Sequence, residues 1–545
     1  MDVLKFSGLE RSQILQEMSD TSFDLLVIGG GITGAGIALD AATRGMKTAL
    51  VEMQDFAGGT SSRSTKLIHG GLRYLKQGEF KQVAEVGRER AIVYKNGPHV
   101  TKPEWMLLPI YQGGTLGRWG TSFGLWLYDR LAGVKRSERR KMLTVAEVLE
   151  KEPLLNKTGL LCGGYYVEYR TDDARLTLEV TKKAVAKGVL AVNYTEVESF
   201  VYNKELIAGV RVKDQLSKQE YVIPANKVVN AAGPWVDLVR EKDGSRKKTI
   251  QWTKGIHLVF DQRRFPLRQA IYFDTFDGRM VFAIPRDGKT YVGTTDTIFH
   301  GDPMHPRMEV EDRVYLLGAI SGTFPGLYIT EKDIESSWAG IRPLIAQAGK
   351  KPSEISRKDE IWHSSSGLLT VAGGKLTGYR KMAEMVVDRI PGNWGPCQTR
   401  QMPISGGEVG RADNFLHYVE ETAKASSFSL QWAKQIVCQY GSNAKTIFSL
   451  ARELAKNKED LGLPIELLAI LEYSIREEMA VTPADFFVRR TGALYFRRKW
   501  VEEWKQPVIS YMAKRFDWSL KEKIKHLTDL NQHLQETILA VGEES

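Results

Sequence analysis

At 545 residues the chain exceeds what one hydrophobic core usually supports, and its 42% hydrophobic and 26% charged residues exclude a disordered or multiply membrane-spanning chain. Lys and Arg outnumber Asp and Glu 76 to 66, and the resulting net charge of +10 suits nucleic acid, an anionic bilayer or a small anionic substrate without ranking them. Cys162, Cys397 and Cys438 show neither a CxxC pair nor ligand spacing, so no disulfide framework or metal site is expected. The N-terminus lacks a secretory pattern and no stretch approaches a spanning helix, so a cytoplasmic chain with only peripheral membrane contact is expected.

In chain order, the first signal is FDLLVI, residues 23–28, an apolar run ending in three glycines. ITGAGIALDAATRG follows with helical small-residue spacing closed by Gly45, and then KTALVE, so the first fifty residues open a βαβ unit and a parallel sheet. The turn between strand and helix is a GxGxxG motif in its proper context. Gly29 permits the tight turn, Gly31 lets the backbone approach a pyrophosphate, and Gly34 lets the helix pack on the strand. The helix N-terminus offers unpaired N–H groups to the phosphates. Glu52 ends the second strand 18 residues after Gly34, where a carboxylate accepts ribose hydroxyls and repels a phosphorylated ribose. An adenine dinucleotide is the predicted ligand.

Residues 58–75, GGTSSRSTKLIHGGLRYL, form a glycine- and hydroxyl-rich loop able to wrap the middle of a cofactor. Residues 118–133 interleave Trp119, Phe123, Leu125, Trp126, Leu127 and Tyr128 with arginines, and read either as an interfacial surface or as core beside a solvated charge run. In VEYRTDDARL, Asp173 and Arg175 are expected to hold a substrate sheet on the nucleotide domain, and Asp172 needs no acid–base role. KVVNAAG, residues 227–233, is another strand running into small residues, and FAIPRDGKTYVGTTD carries an Asp287-Gly288 hairpin turn. A further strand, glycine turn and helix at residues 364–383 gives a second segment around one dinucleotide. That favours FAD, whose flavin must be enclosed, over NAD.

Residues 391–410 are rich in Pro and Gly and read as a linker. Beyond it Leu430, Ile436, Val437 and Tyr440, then Ala444, Ile447, Phe448 and Ala451, recur at helical spacing around a Gly441-Ser442 break, and Thr482-Pro483-Ala484-Asp485 starts another helix. On the interfacial reading, the cluster from Phe496 through Arg497, Arg498 and Lys499 to Trp500 extends the surface of residues 118–133. The expected architecture is an α/β FAD-binding, Rossmann-like domain with an inserted mixed and antiparallel substrate sheet (1–390), a linker (391–410) and an all-α C-terminal domain (411–545).

The ordered set GGGITGAGIALDAATRG, STKLIHGGLRYL, NAAGPWVD, KGIHLV, IRPL, GGKLTGYR and EEMAVTPADFFVRRT resembles the quinone-linked, FAD-dependent glycerol-3-phosphate dehydrogenases, within the glycine-oxidase-like flavoproteins, nearly end to end. The resemblance implies non-covalent FAD, oxidation of sn-glycerol 3-phosphate to dihydroxyacetone phosphate, and electron transfer to a quinone at the inner face of the cell membrane. A homodimer is compatible with it. It assigns the substrate phosphate to Arg73 and Arg342, with Arg357 a third cation, because a guanidinium fork grips two phosphate oxygens. Lys375 holds the alcohol oxygen or the charge of the reduced flavin. His257 is the candidate base, its unperturbed pKa lying near neutrality, with Lys375 or a water as alternatives. Besides Gly29, Gly31, Gly34 and Glu52, cofactor contacts fall on Thr60, Ser61, Ser62, Lys66, His69, Gly70, Gly233, Gly373, Gly374, Leu376 and Thr377, with His69 positioning the flavin or nearby backbone. Rival readings are a glycerol-3-phosphate oxidase using oxygen, whose extra insertion is not evident here, an amine or amino-acid oxidase, and an RNA-binding flavoprotein. No nucleic-acid module is visible, and no nucleic-acid partner is expected.

Overall fold

The computed structural model describes residues 6–69, 80–114, 117–131, 138–346, 360–373, 375–456 and 462–543. Arg73, Arg357, Gly70 and Gly374, and the side chains of Trp119 and Tyr128, lie outside the described residues.

FDLLVI forms the strand Phe23–Ile28, buried on both faces as its apolar composition requires of a strand covered on each side. It pairs in parallel with Thr48–Val51 and with Glu220–Asn230, and the sheet continues in parallel to Leu190–Val192 at one side and Leu369–Ala372 at the other. An antiparallel edge strand, Glu360–His363, closes it. The helix Ile32–Thr43 lies against Tyr379–Val387, where a Cβ on Gly36 would stand 2.9 Å from the Tyr379 ring. This is the parallel nucleotide sheet whose opening βαβ unit the first fifty residues predict.

The second sheet is mixed. Near one end of it Ile250–Asp261 pairs antiparallel with Ile334–Ile345 on one edge and with Lys289–Gly293 on the other. The predicted hairpin joins Met280–Arg286 to Lys289–Gly293, and both Asp287 (φ 52°) and Gly288 (φ 78°) take the left-handed conformation that a two-residue turn of this twist demands. Strand Ala270–Asp274 runs parallel to Thr101–Tyr111, which makes this sheet mixed.

The C-terminal part is helical: Leu430–Tyr440 and Ala444–Lys456 meet at Gly441 (φ 56°), as their spacing predicts. Of the eight apolar positions read from that spacing, Leu430 is exposed and the others are buried. Helices Ile465–Glu478, Arg498–Phe516 and Leu520–Glu536 share one apolar cluster with Val259, Ile284, Tyr291 and Trp338, so they cover the face of the substrate sheet that carries His257, while the helix Val310–Thr323 packs with Ile256, Leu258 and Phe260 on the opposite face. Phe496 belongs to that cluster and packs edge-on to Trp338. It is therefore core, and the proposed extension of an interfacial surface through it is corrected. In Arg118–Leu131, by contrast, Phe123 is 62% and Trp126 45% exposed while Leu125 is buried.

The charged pair read from VEYRTDDARL is redistributed. Asp172 caps the helix Asp173–Val185 and meets Arg286 of the substrate sheet at 3.3 Å. Arg175 instead faces the helical domain, donating to Glu478 and to the carbonyl of Arg490. Asp172 thus fastens the start of this helix to the substrate sheet, Asp173 accepts from Ser64 and Lys66 of the glycine-rich loop, and Arg175 joins the helical domain.

Candidate active site

Between the two sheets lies a cavity of about 1020 Å³, opening at the C-terminal ends of the parallel strands, where ligands of such sheets bind. At one end is the glycine turn. Gly29 has φ 108°, and a Cβ on Gly34 would stand 1.9 Å from the Gly29 carbonyl oxygen, so strand and helix approach only without side chains. A Cβ on Gly31 would meet only the Ser61 Oγ at 3.1 Å, which leaves a backbone cradle at the helix N-terminus facing the cavity. Glu52 accepts from the backbone N–H of Gly30 (2.6 Å) and of Gln54 (2.8 Å), and burial lifts its carboxyl to about 6, against the pull of those two donors.

The middle is walled by the two glycine-rich segments. The Thr60 hydroxyl donates to the Ile341 carbonyl (2.6 Å), Ser61 Oγ accepts from Ile32 N–H (3.0 Å), and the Thr377 hydroxyl bridges the N–H and the carbonyl of His69, 3.1 Å each. Gly233, Gly373, Lys375, Leu376 and His69 line the same wall. Two sequence-derived contacts do not. Ser62 is buried behind the wall, and the Lys66 ammonium is held by Asp173 (2.6 Å) and the Ser62 carbonyl (3.0 Å), so Lys66 anchors the loop instead of facing the cavity.

At the far end strand register brings the chemistry together. Thr253 pairs with Arg342, Gly255 with Gly340 and His257 with Trp338, so these alternate residues share a face. A Cβ on Gly255 would stand 2.4 Å from Arg342 Nη2, and its absence makes room for the guanidinium. Arg342 donates to the Thr294 hydroxyl (2.8 Å) and the Thr295 carbonyl (3.2 Å), with Asp296 at 3.3 Å. The His257 ring stacks on Trp338 (4.7 Å, 11°), and its Nε2 meets the Thr65 hydroxyl at 3.0 Å, while Nδ1 is enclosed without a partner among the described residues. Burial, then the positive charges of Arg342 and Lys66, hold His257 well below the usual histidine value. It is neutral at pH 7.

Thr65, Arg63, Arg279 and the stretch Thr294–Asp296 also line the cavity, and sequence reasoning passed over them. The repeated spacing Gly255-x-His257 and Gly340-x-Arg342 carried a usable signal: a glycine two residues before each polar side chain, on the same strand face.

A backbone cradle, a buried carboxylate beside it and a long cavity walled by two glycine segments fit FAD. These features define an FAD-dependent oxidoreductase, and the family model described as FAD dependent oxidoreductase matches residues 24–380. A second model, the C-terminal domain of alpha-glycerophosphate oxidase, matches residues 397–523. The chain is 59% identical to the aerobic glycerol-3-phosphate dehydrogenase of Bacillus subtilis (strain 168), over 98% of this chain and 99% of that protein. It is 54% identical to the Staphylococcus aureus (strain USA300) protein of the same name, over 98% of each. The glycerol-3-phosphate dehydrogenase from Bacillus halodurans complexed with FAD superposes with TM-score 0.87 at 48% identity, covering 99% of this chain and all of that one (100%). The L-alpha-glycerophosphate oxidase from Mycoplasma pneumoniae shares the fold at TM-score 0.57 and 18% identity, over 69% of this chain and 96% of that chain. The chain belongs to the aerobic glycerol-3-phosphate dehydrogenase family.

Proposed function

We propose that this chain oxidises sn-glycerol 3-phosphate to dihydroxyacetone phosphate and delivers the electrons to a membrane quinone. The observation that carries the reading is that Arg342 and His257, on neighbouring strands, share the sheet face that lines the cavity away from the dinucleotide turn. FAD, when bound, supplies the acceptor for the hydride leaving C2 of the substrate. Arg342 grips the phosphate, with Arg73 and Arg357 as its partners, and Lys375 orients the C2 oxygen. His257, neutral and fixed by Trp338, holds the hydroxyl proton on Nε2, exchanging its Thr65 contact for the substrate oxygen. The walls of the two glycine segments exclude water from the reacting atoms. The same proposal takes residues 1–390 as the FAD-binding unit, 391–410 as linker and 411–545 as the helical domain.

The exposed Phe123 and Trp126, with Arg130 over the Trp126 ring at 5.9 Å, support a bilayer contact on the helix Arg118–Leu131. Among the described residues no helix is long and apolar enough to cross a membrane. Anaerobic bleaching of the bound flavin by sn-glycerol 3-phosphate, but not by glycerol or amino acids, tests the substrate. Turnover that requires an added quinone supports the acceptor, and rapid peroxide formation in air would replace it with oxygen.

A further inference from the structure

The turn after Glu52 reaches out of the nucleotide domain into the helical one. Asp55, three residues beyond Glu52, is fully buried, and its carboxylate takes a two-pronged grip from Arg490, Nη1 to Oδ2 at 2.5 Å and Nη2 to Oδ1 at 2.8 Å. Arg489 Nε donates to the same Oδ2, and Asn193 Nδ2 donates to Oδ1 at 3.0 Å. Both arginines are themselves held: Arg490 donates to the Glu478 carbonyl (2.7 Å) and Arg489 to Asp485 (2.6 Å), whose other oxygen caps Val481 and Thr482. A buried ion pair is seldom a net gain in stability over apolar residues of the same volume, so its geometry calls for another account.

That geometry leads back to the cofactor cradle. The turn carrying Asp55 is connected to the glycine motif at three points: Glu52 accepts from Gly30 N–H (2.6 Å), Ala57 N–H donates to the Gly30 carbonyl (3.1 Å), and the Phe56 ring fills the space beside Gly30, where a Cβ would stand 2.5 Å away. Ala57 sits at φ 61°, a conformation that a residue with a Cβ adopts only when its surroundings hold it there. Among the described residues, the cations that hold the tip of this turn are the two arginines of Asp485–Arg490.

We propose that Arg489 and Arg490 are positioning residues for FAD: through Asp55 they hold the Glu52 turn against the glycine motif, so that the helical domain forms part of the cofactor site without touching the cofactor. The proposal rests on FAD occupying the cavity, and the yellow spectrum of the native full-length protein tests that separately. The adenosine half, next to Glu52, is the part whose binding depends on the clamp.

The test compares FAD affinity, read from flavin fluorescence on adding FAD back to cofactor-stripped full-length chain, with the melting temperature of the same samples. Asp55→Asn and Arg490→Lys should each weaken FAD binding by at least about ten-fold, the change expected on losing one charge-assisted hydrogen bond. Glu472→Gln is the control, since Glu472 is an equally buried partner of Arg515 and Tyr511 inside the helical domain, away from the turn. It should lower the melting temperature and leave FAD affinity as in the native chain. If the Asp55 and Arg490 variants lose thermal stability like Glu472→Gln yet bind FAD as tightly as the native protein, the clamp is structural only and the proposal falls. Should Arg490→Lys prove insoluble, Arg489→Lys, which leaves the two-pronged pair intact, carries the same comparison with the same two outcomes.

Discussion

The carboxyl of Glu52, lifted by burial to about 6, makes cofactor binding pH-dependent in a definite direction. The ionised form is the one that accepts ribose hydroxyls. In the cofactor-free chain it accounts for roughly one Glu52 in eleven at pH 5 and ten in eleven at pH 7, so FAD affinity should rise about ten-fold between those values and level off above. The same shift bears on stability. A folded-state pKa above the unfolded value penalises the charged form, so the cofactor-free chain loses up to about 2 kcal/mol as pH rises from 4.5 through 6, and bound FAD offsets that loss. Titrating cofactor-stripped protein with FAD at several pH values between 5 and 8, by quenching of flavin fluorescence, reads the effect directly. Glu52→Gln should bind FAD more weakly and without the pH step. An affinity that does not change with pH in the native chain, or a step of equal size in Glu52→Gln, would refute the assignment of the ribose to this carboxylate.

Other expectations concern the far end of the cavity and the loop behind it. His257→Asn should slow anaerobic flavin reduction by about 10²- to 10⁴-fold with FAD retained, and since burial and the neighbouring cations hold native His257 well below the usual histidine value, the native rate should hold level as pH falls from 8 to 7. An unchanged reduction rate in the variant would remove His257 from the proton transfer. Arg342→Ala should raise the substrate concentration for half-bleaching by about a hundred-fold, the loss of a forked, charge-assisted contact, and equal capture by the variant would exclude a phosphate role. Gly34→Ala, whose Cβ would stand 1.9 Å from the Gly29 carbonyl oxygen, should yield protein without bound flavin, detected as the missing visible absorbance. Lys66→Met leaves Asp173 buried without its cation and should destabilise the chain by about 3–5 kcal/mol in chemical denaturation, while the folded fraction keeps an unaltered flavin spectrum; weak FAD binding at full stability would return Lys66 to the cofactor.

The features legible in the sequence are those decided within a few residues. The Gly29 turn, the Asp287-Gly288 hairpin and the Gly441 break follow from which φ values a side chain permits, and that restriction acts locally. The buried parallel strands were legible too, because continuous apolar runs of that length can be satisfied only in a sheet covered on both faces. Partner choice among charged and aromatic side chains was not legible. Lys66 reads as a cofactor donor until Asp173 claims it, Arg175 reads as a link to the substrate sheet until Glu478 does, and Phe496 reads equally as surface or core until Trp338 and Tyr291 enclose it. Strand register set Arg342 beside His257, and the packing of the helical domain brought Arg490 to Asp55. An ion or a ring has many competent partners along a chain. Only the tertiary structure decides which one lies within about 3 Å in a medium dry enough for the contact to matter.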